Sequence, residues 1–293
     1  MKRKILYIIN PKSGTSAKSE LSDLIRSTTN PDNDDIEIIY TKGPKHALEL
    51  SKEAAKNKVD IVAIAGGDGT LNEAACGLVH SSTSLAILPM GSGNGLARHL
   101  SIPMDIKDAL KTIITGKQIW CDTFSVNGHI GIGTFGVGFD AHIAHLFSMS
   151  SKRGYSTYVK LVLKEFVNYK GIALNLKIDG AKCTVQPFLF TVANSSQFGN
   201  NAIIAPMAKI SDGWLDLAFV KKFPLLVAPS LIYRLTNNTL NKSKYYSHSR
   251  CKEVFIENQG TIKAHIDGEP VEISGDLNIR IIPSSIKINV PSY

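Results

Sequence analysis

Up to residue 115 the chain alternates short apolar runs with segments of helical spacing. The runs fall at residues 4–9, 36–40, 61–65 and 85–88, and each reaches a glycine or proline within three residues. Apolar sequence without alternation belongs to strands covered on both faces, as in parallel sheets. Between the runs, Ala47, Leu48, Leu50, Ala54 and Ala55 mark one helix, and Thr15 or Ser16 starts another that reaches about residue 28. A third helix follows the glycines at 66–69 to about residue 79, and residues 105–115 carry one more after a short helical turn. Strands and helices in this order predict an α/β domain with a parallel sheet.

After Lys117 the period changes. Alternating segments at 124–139, 173–178, 184–192, 215–220, 252–257, 261–266 and 277–282 predict a mainly antiparallel β-sandwich, interrupted by one helical insertion at 155–169. The change of period divides the chain into domains at 1–121 and 122–293, with about the last ten residues packing back on the first.

The strand at 61–65 runs into Gly66-Gly67-Asp68-Gly69-Thr70-Leu71-Asn72-Glu73. Thr70 and Glu73 have capping-box spacing, so this is a strand-to-helix turn at the carboxyl end of a parallel strand. Glycines there let backbone N–H groups and the helix dipole meet a phosphate. Asp68 would repel that phosphate unless a metal ion bridges the two, so phosphate plus metal is the simplest reading. Loops at 10–14 and 89–95 also follow strands and are predicted to converge with it. No GxxxxGK[ST] occurs, which excludes a Walker-type P-loop. The GxGxxG string, Gly131 to Gly136, lies in β-patterned sequence with no helix expected behind it and reads as glycine-bearing strand.

Composition narrows the partners. The 293 residues carry a net charge of +8, which suits an anionic partner such as a nucleotide or a phospholipid surface. Cys76, Cys121, Cys183 and Cys251 are widely spaced, which argues against a disulfide framework or zinc site and fits a reducing cytoplasm. No stretch approaches the roughly 18 apolar residues of a membrane span, so the expectation is a soluble or peripheral protein. Residues 221–252 hold seven Lys or Arg and no acid, interleaved with Phe223, Leu225, Leu226, Leu231, Ile232, Tyr233, Tyr245 and Tyr246. Such a stretch either docks on an anionic bilayer or is a solvated helix face. His142 and His145 read as a helical surface pair.

Asn10-Pro11-Lys12-Ser13-Gly14, the Gly66–Glu73 string and Pro89-Met90-Gly91-Ser92-Gly93-Asn94 together resemble the diacylglycerol kinase catalytic domain. That superfamily includes bacterial lipid kinases and sphingosine and ceramide kinases, with NAD kinases as distant relatives. Gly138-Phe139-Asp140-Ala141, Ala205-Pro206-Met207-Ala208, Asp212-Gly213-Trp214-Leu215-Asp216 and Asp267-Gly268-Glu269-Pro270 extend the resemblance over nearly the whole chain. It implies an NAD kinase-like nucleotide domain, a β-sandwich lipid domain and an interdomain cleft in which ATP, Mg²⁺ and lipid meet. Carried over, Asn10, Pro11, Lys12, Ser13, Gly14, Thr41, Gly66, Gly67, Asp68, Gly69, Thr70, Leu71 and Ser92 line the nucleotide, and Asp68 acts through Mg²⁺. A second, structural cation is implied on the backbone carbonyls of Lys209 and Trp214 and the carboxylate of Asp212, with Glu269 as general base.

Phosphoryl transfer needs charge neutralisation at the phosphates and an acceptor hydroxyl held in line, which backbone donors, a metal and a carboxylate can supply. Asp267-Gly268 is also a natural hairpin pair, and Ile178-Asp179-Gly180 repeats Ile266-Asp267-Gly268 with no acid after it. The resemblance implies transfer of the γ-phosphate of ATP to a lipid hydroxyl, diacylglycerol-like in the first instance, by a cytoplasmic, peripheral enzyme of phospholipid metabolism. Gly91-Ser92-Gly93-Asn94-Gly95-Leu96-Ala97 is nearer the sphingosine and ceramide kinase version, which leaves the acceptor open. An NAD kinase and an inactive lipid- or nucleotide-binding regulator are the alternatives. No nucleic-acid partner is expected, and a homodimer is allowed.

Overall fold

The computed structural model describes residues 2–14, 18–150 and 155–292, so the expected helix start at Thr15 or Ser16 lies outside the described residues. The chain divides into two compact units, Met1–Asp122 with Pro283–Tyr293, and Thr123–Ile282.

The first unit contains β1 (Arg3–Ile9), α1 (Lys18–Thr28), β2 (Asp34–Tyr40), α2 (His46–Lys56), β3 (Ile61–Gly66), α3 (Asp68–Leu78), β4 (Ser84–Pro89), α4 (Gly95–His99) and α5 (Ile106–Thr115). Its strands pair in parallel in the order β2-β1-β3-β4. Every residue of β3 and β4 is buried, which is why they read as unbroken apolar runs. α5 is capped by Asp105, whose carboxylate accepts from the N–H groups of Lys107 and Asp108. The chain leaves through β5 (Lys117–Val126) and returns through the last strand, whose Lys287 and Ile288 pair in parallel with Ser84 and Leu85 of β4.

The second unit adds β6 (His129–Gly131), β7 (Thr134–Gly138), α6 (Phe139–Ser148), α7 (Tyr155–Asn168), β8 (Leu174–Ile178), β9 (Ala181–Val185) and β10 (Leu189–Ala193). It continues with β11 (Leu215–Val220), α8 (Ala228–Thr236), β12 (Tyr246–Cys251), β13 (Glu253–Glu257), β14 (Thr261–Ile266), β15 (Glu269–Ser274) and β16 (Leu277–Val290). One antiparallel sheet runs β12-β11-β10-β7-β14-β15. Alternate residues from it, such as Phe135, Val137, Phe190, Val192, Leu215 and Leu217, pack on Leu174, Leu176, Val254, Ile256, Leu277 and Ile279 of a second layer. Inward residues at a period of two from two sheets define a sandwich.

Three expectations change. The alternating segment at 124–139 ends in α6, so a helix does follow the GxGxxG string. β7 is nevertheless an interior antiparallel strand, and the glycines of the string make room for side chains rather than phosphate. A Cβ on Gly131 would lie 2.3 Å from the Phe124 ring, and one on Gly133 would lie 2.9 Å from Asp267 Oδ1. The segment at 184–192 is two strands, broken at Gln186-Pro187-Phe188. His142 and His145 are not a surface pair, because α6 is packed on both flanks. His142 Nε2 lies 2.9 Å from Glu165 Oε2, and His145 Nε2 lies 3.2 Å from the carbonyls of Ala264 and Val271.

Candidate functional site

In the first unit the strand order reverses between β1 and β3, the place where open α/β sheets hold ligands at their carboxyl ends. The loops at 10–14 and 66–70 flank that point and are tied directly. Asn10 Nδ2 donates to Thr70 Oγ1 at 2.8 Å, Asn10 N donates to the Ala65 carbonyl at 2.9 Å, and Asn10 Oδ1 accepts from Lys12 N at 2.9 Å. Thr41 follows β2 and donates its N–H to the Ile9 carbonyl, so the 41–45 loop joins the same edge.

α3 begins at Asp68, three residues earlier than a capping box at Thr70 requires. Gly67 takes the cap position in extended conformation with no side-chain cap. Thr70 Oγ1 is used by Asn10, and Glu73 Oε1 accepts from Lys45 N at 2.8 Å, so the expected capping box does not form. The first intrahelical bond is Leu71 N to the Gly67 carbonyl, so residues 68–70 form the first turn at the N-terminal end of the helix. The Leu71 side chain is buried in the core.

The Asp68 carboxylate makes two contacts that its local sequence does not show. Its Oδ2 accepts from Asn94 N and its Oδ1 from Gly95 N, each at 2.9 Å. The carboxylate latches the 89–95 loop to the 66–70 loop and is compensated by the N–H groups that open α4. The approach is close: a Cβ on Gly91 would stand 2.7 Å from Gly67 Cα. Asn94, with a left-handed φ of 51°, folds the loop by accepting from Gly91 N and donating to the Gly91 carbonyl. Pro11, Lys12, Gly14 and Ser92 are exposed, and Ser13, Gly66, Gly67, Gly69 and Thr70 complete the edge. Mg²⁺ commonly takes one or two carboxylates plus phosphate oxygens and water, so Asp68 is the residue that would hold it beside a bound phosphate.

The second expected cation does not fit. Asp212 Oδ1 accepts from Trp214 N at 3.2 Å, and Oδ2 is engaged by the Arg250 guanidinium. Arg250 also lies over the Trp214 ring, with its Nε 3.9 Å from Asp216 Oδ2. A fixed positive charge already neutralises the carboxylate that a divalent ion would need. Among the described residues no cluster of three His, Cys, Asp or Glu side chains could hold a metal.

Glu269 opens β15 and is exposed. The Asp267-Gly268 pair before it has φ of 51° and 83°, the two left-handed residues of a tight β-hairpin turn. Asp267 is more than a turn former: its carboxylate accepts from the N–H groups of Ile132, Gly133 and Thr134 at 2.9, 2.7 and 2.8 Å. That anchor was not legible in the sequence, where only the turn signal shows. A cavity of ≈ 410 Å³ in this unit, lined by Val185, Phe219 and His248 among others, belongs to the β11–β12 edge of the sheet. β15 stands at the other edge, four strand spacings or about 19 Å away, so that cavity does not receive a hydroxyl at Glu269.

These features define a two-unit protein: an edge of glycine loops and a helix N-terminus on a parallel α/β sheet, and a β-sandwich that presents a carboxylate on a pinned hairpin. The diacylglycerol kinase catalytic domain model matches residues 4–126, and the YegS C-terminal NAD kinase β-sandwich-like domain model matches residues 133–290. The chain belongs to the YegS-like, diacylglycerol kinase-related family of lipid kinases. It is 28% identical over 250 residues to a Chromohalobacter salexigens protein named "Probable lipid kinase YegS-like", covering 83% of this chain and 80% of that one. A Klebsiella pneumoniae protein of the same name is 27% identical over 293 residues, with 98% and 95% covered. The crystal structure of a diacylglycerol kinase from Bacillus anthracis shares the fold, with a TM-score of 0.74 at 22% identity, covering 99% of this chain and 97% of that one.

Proposed function

We propose that the chain transfers the γ-phosphate of ATP to the hydroxyl of a diacylglycerol-like lipid. The observation that carries this reading is the Asp68 latch, which joins two glycine loops beside the switch point of a parallel sheet, at the N-terminus of α3. Asn10 and Thr70 brace the β1 side of that edge, and backbone donors at 68–70 orient the phosphate chain. Mg²⁺ bound with the nucleotide at Asp68 supplies charge neutralisation. Glu269 accepts the proton of the acceptor hydroxyl as it attacks, and the pinned turn holds that carboxylate in place. The reading requires the γ-phosphate and Glu269 to meet at that hydroxyl.

Labelled ATP incubated with diacylglycerol, sphingosine, ceramide, phosphatidylglycerol and NAD tests it. Label in a lipid, lost in both Asp68→Ala and Glu269→Gln, is the expected result. Label in NAD alone, or full activity in either variant, overturns it.

The acceptor partitions into membranes, and residues 221–252 supply a surface suited to an anionic bilayer. The structure sorts that stretch: Leu231 and Tyr246 are buried, whereas Leu225, Ile232 and Tyr233 are exposed and Leu226 is 95% exposed. Phe223 packs on Phe166 of α7, which carries two more exposed apolar residues, Leu163 and Val167. Among the described residues no helix is long and apolar enough to cross a membrane, so contact through this face is peripheral in the proposal.

A further inference from the structure

The hairpin that carries Glu269 has a second anchor. His265, 3% exposed, sits in β14 two residues before the turn. Its Nδ1 accepts from Gly268 N at 3.4 Å, and its Nε2 lies 3.0 Å from Asp140 Oδ2. An amide can only donate, so Nδ1 carries the lone pair and the ring proton sits on Nε2, donated to Asp140. The carboxylate therefore selects the tautomer that can hold Gly268. Asp140 lies in the first turn of α6, its side chain 8% exposed, with Thr191 Oγ1 3.5 Å from the same oxygen.

The surroundings are built for this pair. A Cβ on Gly136 would fall 2.2 Å from Asp140 Oδ2 and 2.3 Å from His265 Nε2, so only glycine leaves room at that point of β7. The Phe198 ring meets the imidazole edge-on at 5.8 Å. Asp140 Oδ1 is buried without a partner, a cost that an apolar pair of the same volume would not carry. Fold stability alone does not explain an imidazole–carboxylate pair here.

We propose that His265, oriented by Asp140, is a positioning residue for Glu269. It fixes the Asp267–Gly268 peptide, one residue before the base, while Asp267 pins the other side of the turn to residues 132–134. The proposal rests on Glu269 being the base. A displacement of about 1 Å at a reacting group costs on the order of 100-fold in rate, so a loosened turn is read in kcat.

The test compares His265→Gln, which keeps a partner for Asp140 but offers Gly268 no acceptor, with His265→Asn, whose Oδ1 stands near the place of Nδ1. Turnover of dioctanoylglycerol in mixed micelles with MgATP is measured with amide exchange at Gly268 in the full chain. The expected result is a kcat about 10- to 100-fold lower in His265→Gln, an unchanged KM for ATP, faster Gly268 exchange, and recovery of both readouts in His265→Asn. A His265→Gln kcat within about twofold of wild type, or equal losses in both variants, overturns the proposal. If wild type does not turn over this acceptor, unchanged Gly268 exchange in His265→Gln overturns it and faster exchange with recovery in His265→Asn supports it. Glu269→Gln in the same assay separates the two readings: an active Glu269→Gln sinks the base, whereas an inactive one beside an unaffected His265→Gln sinks only the positioning.

Discussion

Asn10 and Thr70, 60 residues apart, share a 2.8 Å hydrogen bond across the point where the sheet reverses its strand order. The bond uses the hydroxyl that would otherwise cap α3 and so holds the β1 loop against the open helix end. Asn10→Ala removes it at a cost of about 1 kcal/mol, which corresponds to roughly fivefold to tenfold weaker ATP binding. Calorimetric titration with ATP checks this, and unchanged affinity shows that the brace does not shape the nucleotide edge.

Asp267 and Glu269 are predicted to separate stability from turnover. Asp267→Ala orphans the N–H groups of Ile132, Gly133 and Thr134 and lowers stability by about 2–4 kcal/mol. Glu269→Gln, on an exposed side chain, leaves the urea midpoint unchanged and lowers turnover by about 100-fold or more. A stable Asp267→Ala contradicts the anchoring role.

Arg250 is predicted to make the Asp212 loop independent of metal. The wild-type melting temperature stays the same in EDTA and in 10 mM Mg²⁺ (about 10 mM, enough to fill weak surface sites), whereas Arg250→Met melts several degrees lower because Asp212 and Asp216 lose their common cation. A fall in the wild-type melting temperature on chelation refutes this.

His99 gives an acid-sensitive contribution. Burial pushes its pKa down from 6.5 to about 4. The folded value lies below the unfolded one, so the unfolded chain takes up the proton first as pH falls. Stability therefore declines from about pH 6.5 to about 4, and His99→Gln flattens that part of the curve. Urea denaturation at several pH values measures both slopes, and equal slopes exclude His99 as the cause.

The exposed face of α8 and the segment before it should bind anionic vesicles. Leu226→Ser with Ile232→Ser is expected to reduce sedimentation with phosphatidylglycerol vesicles, while vesicles of phosphatidylcholine alone retain little of either protein. Equal retention of the double variant shows that this face does not dock.

The sequence by itself determined the two architectures and placed glycine loops at the strand ends. Short unbroken apolar runs bounded by glycine or proline are strands covered on both faces, alternation marks a sandwich, and glycines after a parallel strand need no distant partner to be read. It also marked Asp267-Gly268 as a turn, because turn chemistry is local. What it could not state is which side chain satisfies which. Thr70 and Glu73 have capping spacing, yet partners at Asn10 and Lys45 take them, because helix α3 starts at Asp68. Asp68 reads as a metal ligand, and only the approach of the 89–95 loop shows that both of its oxygens already accept N–H groups. Asp212 reads as a cation site until β12 brings Arg250 to it, and His265 has no signal at all until α6 delivers Asp140. Pairings between residues 26 to 125 apart are made by strand order and helix packing, and no local pattern encodes them.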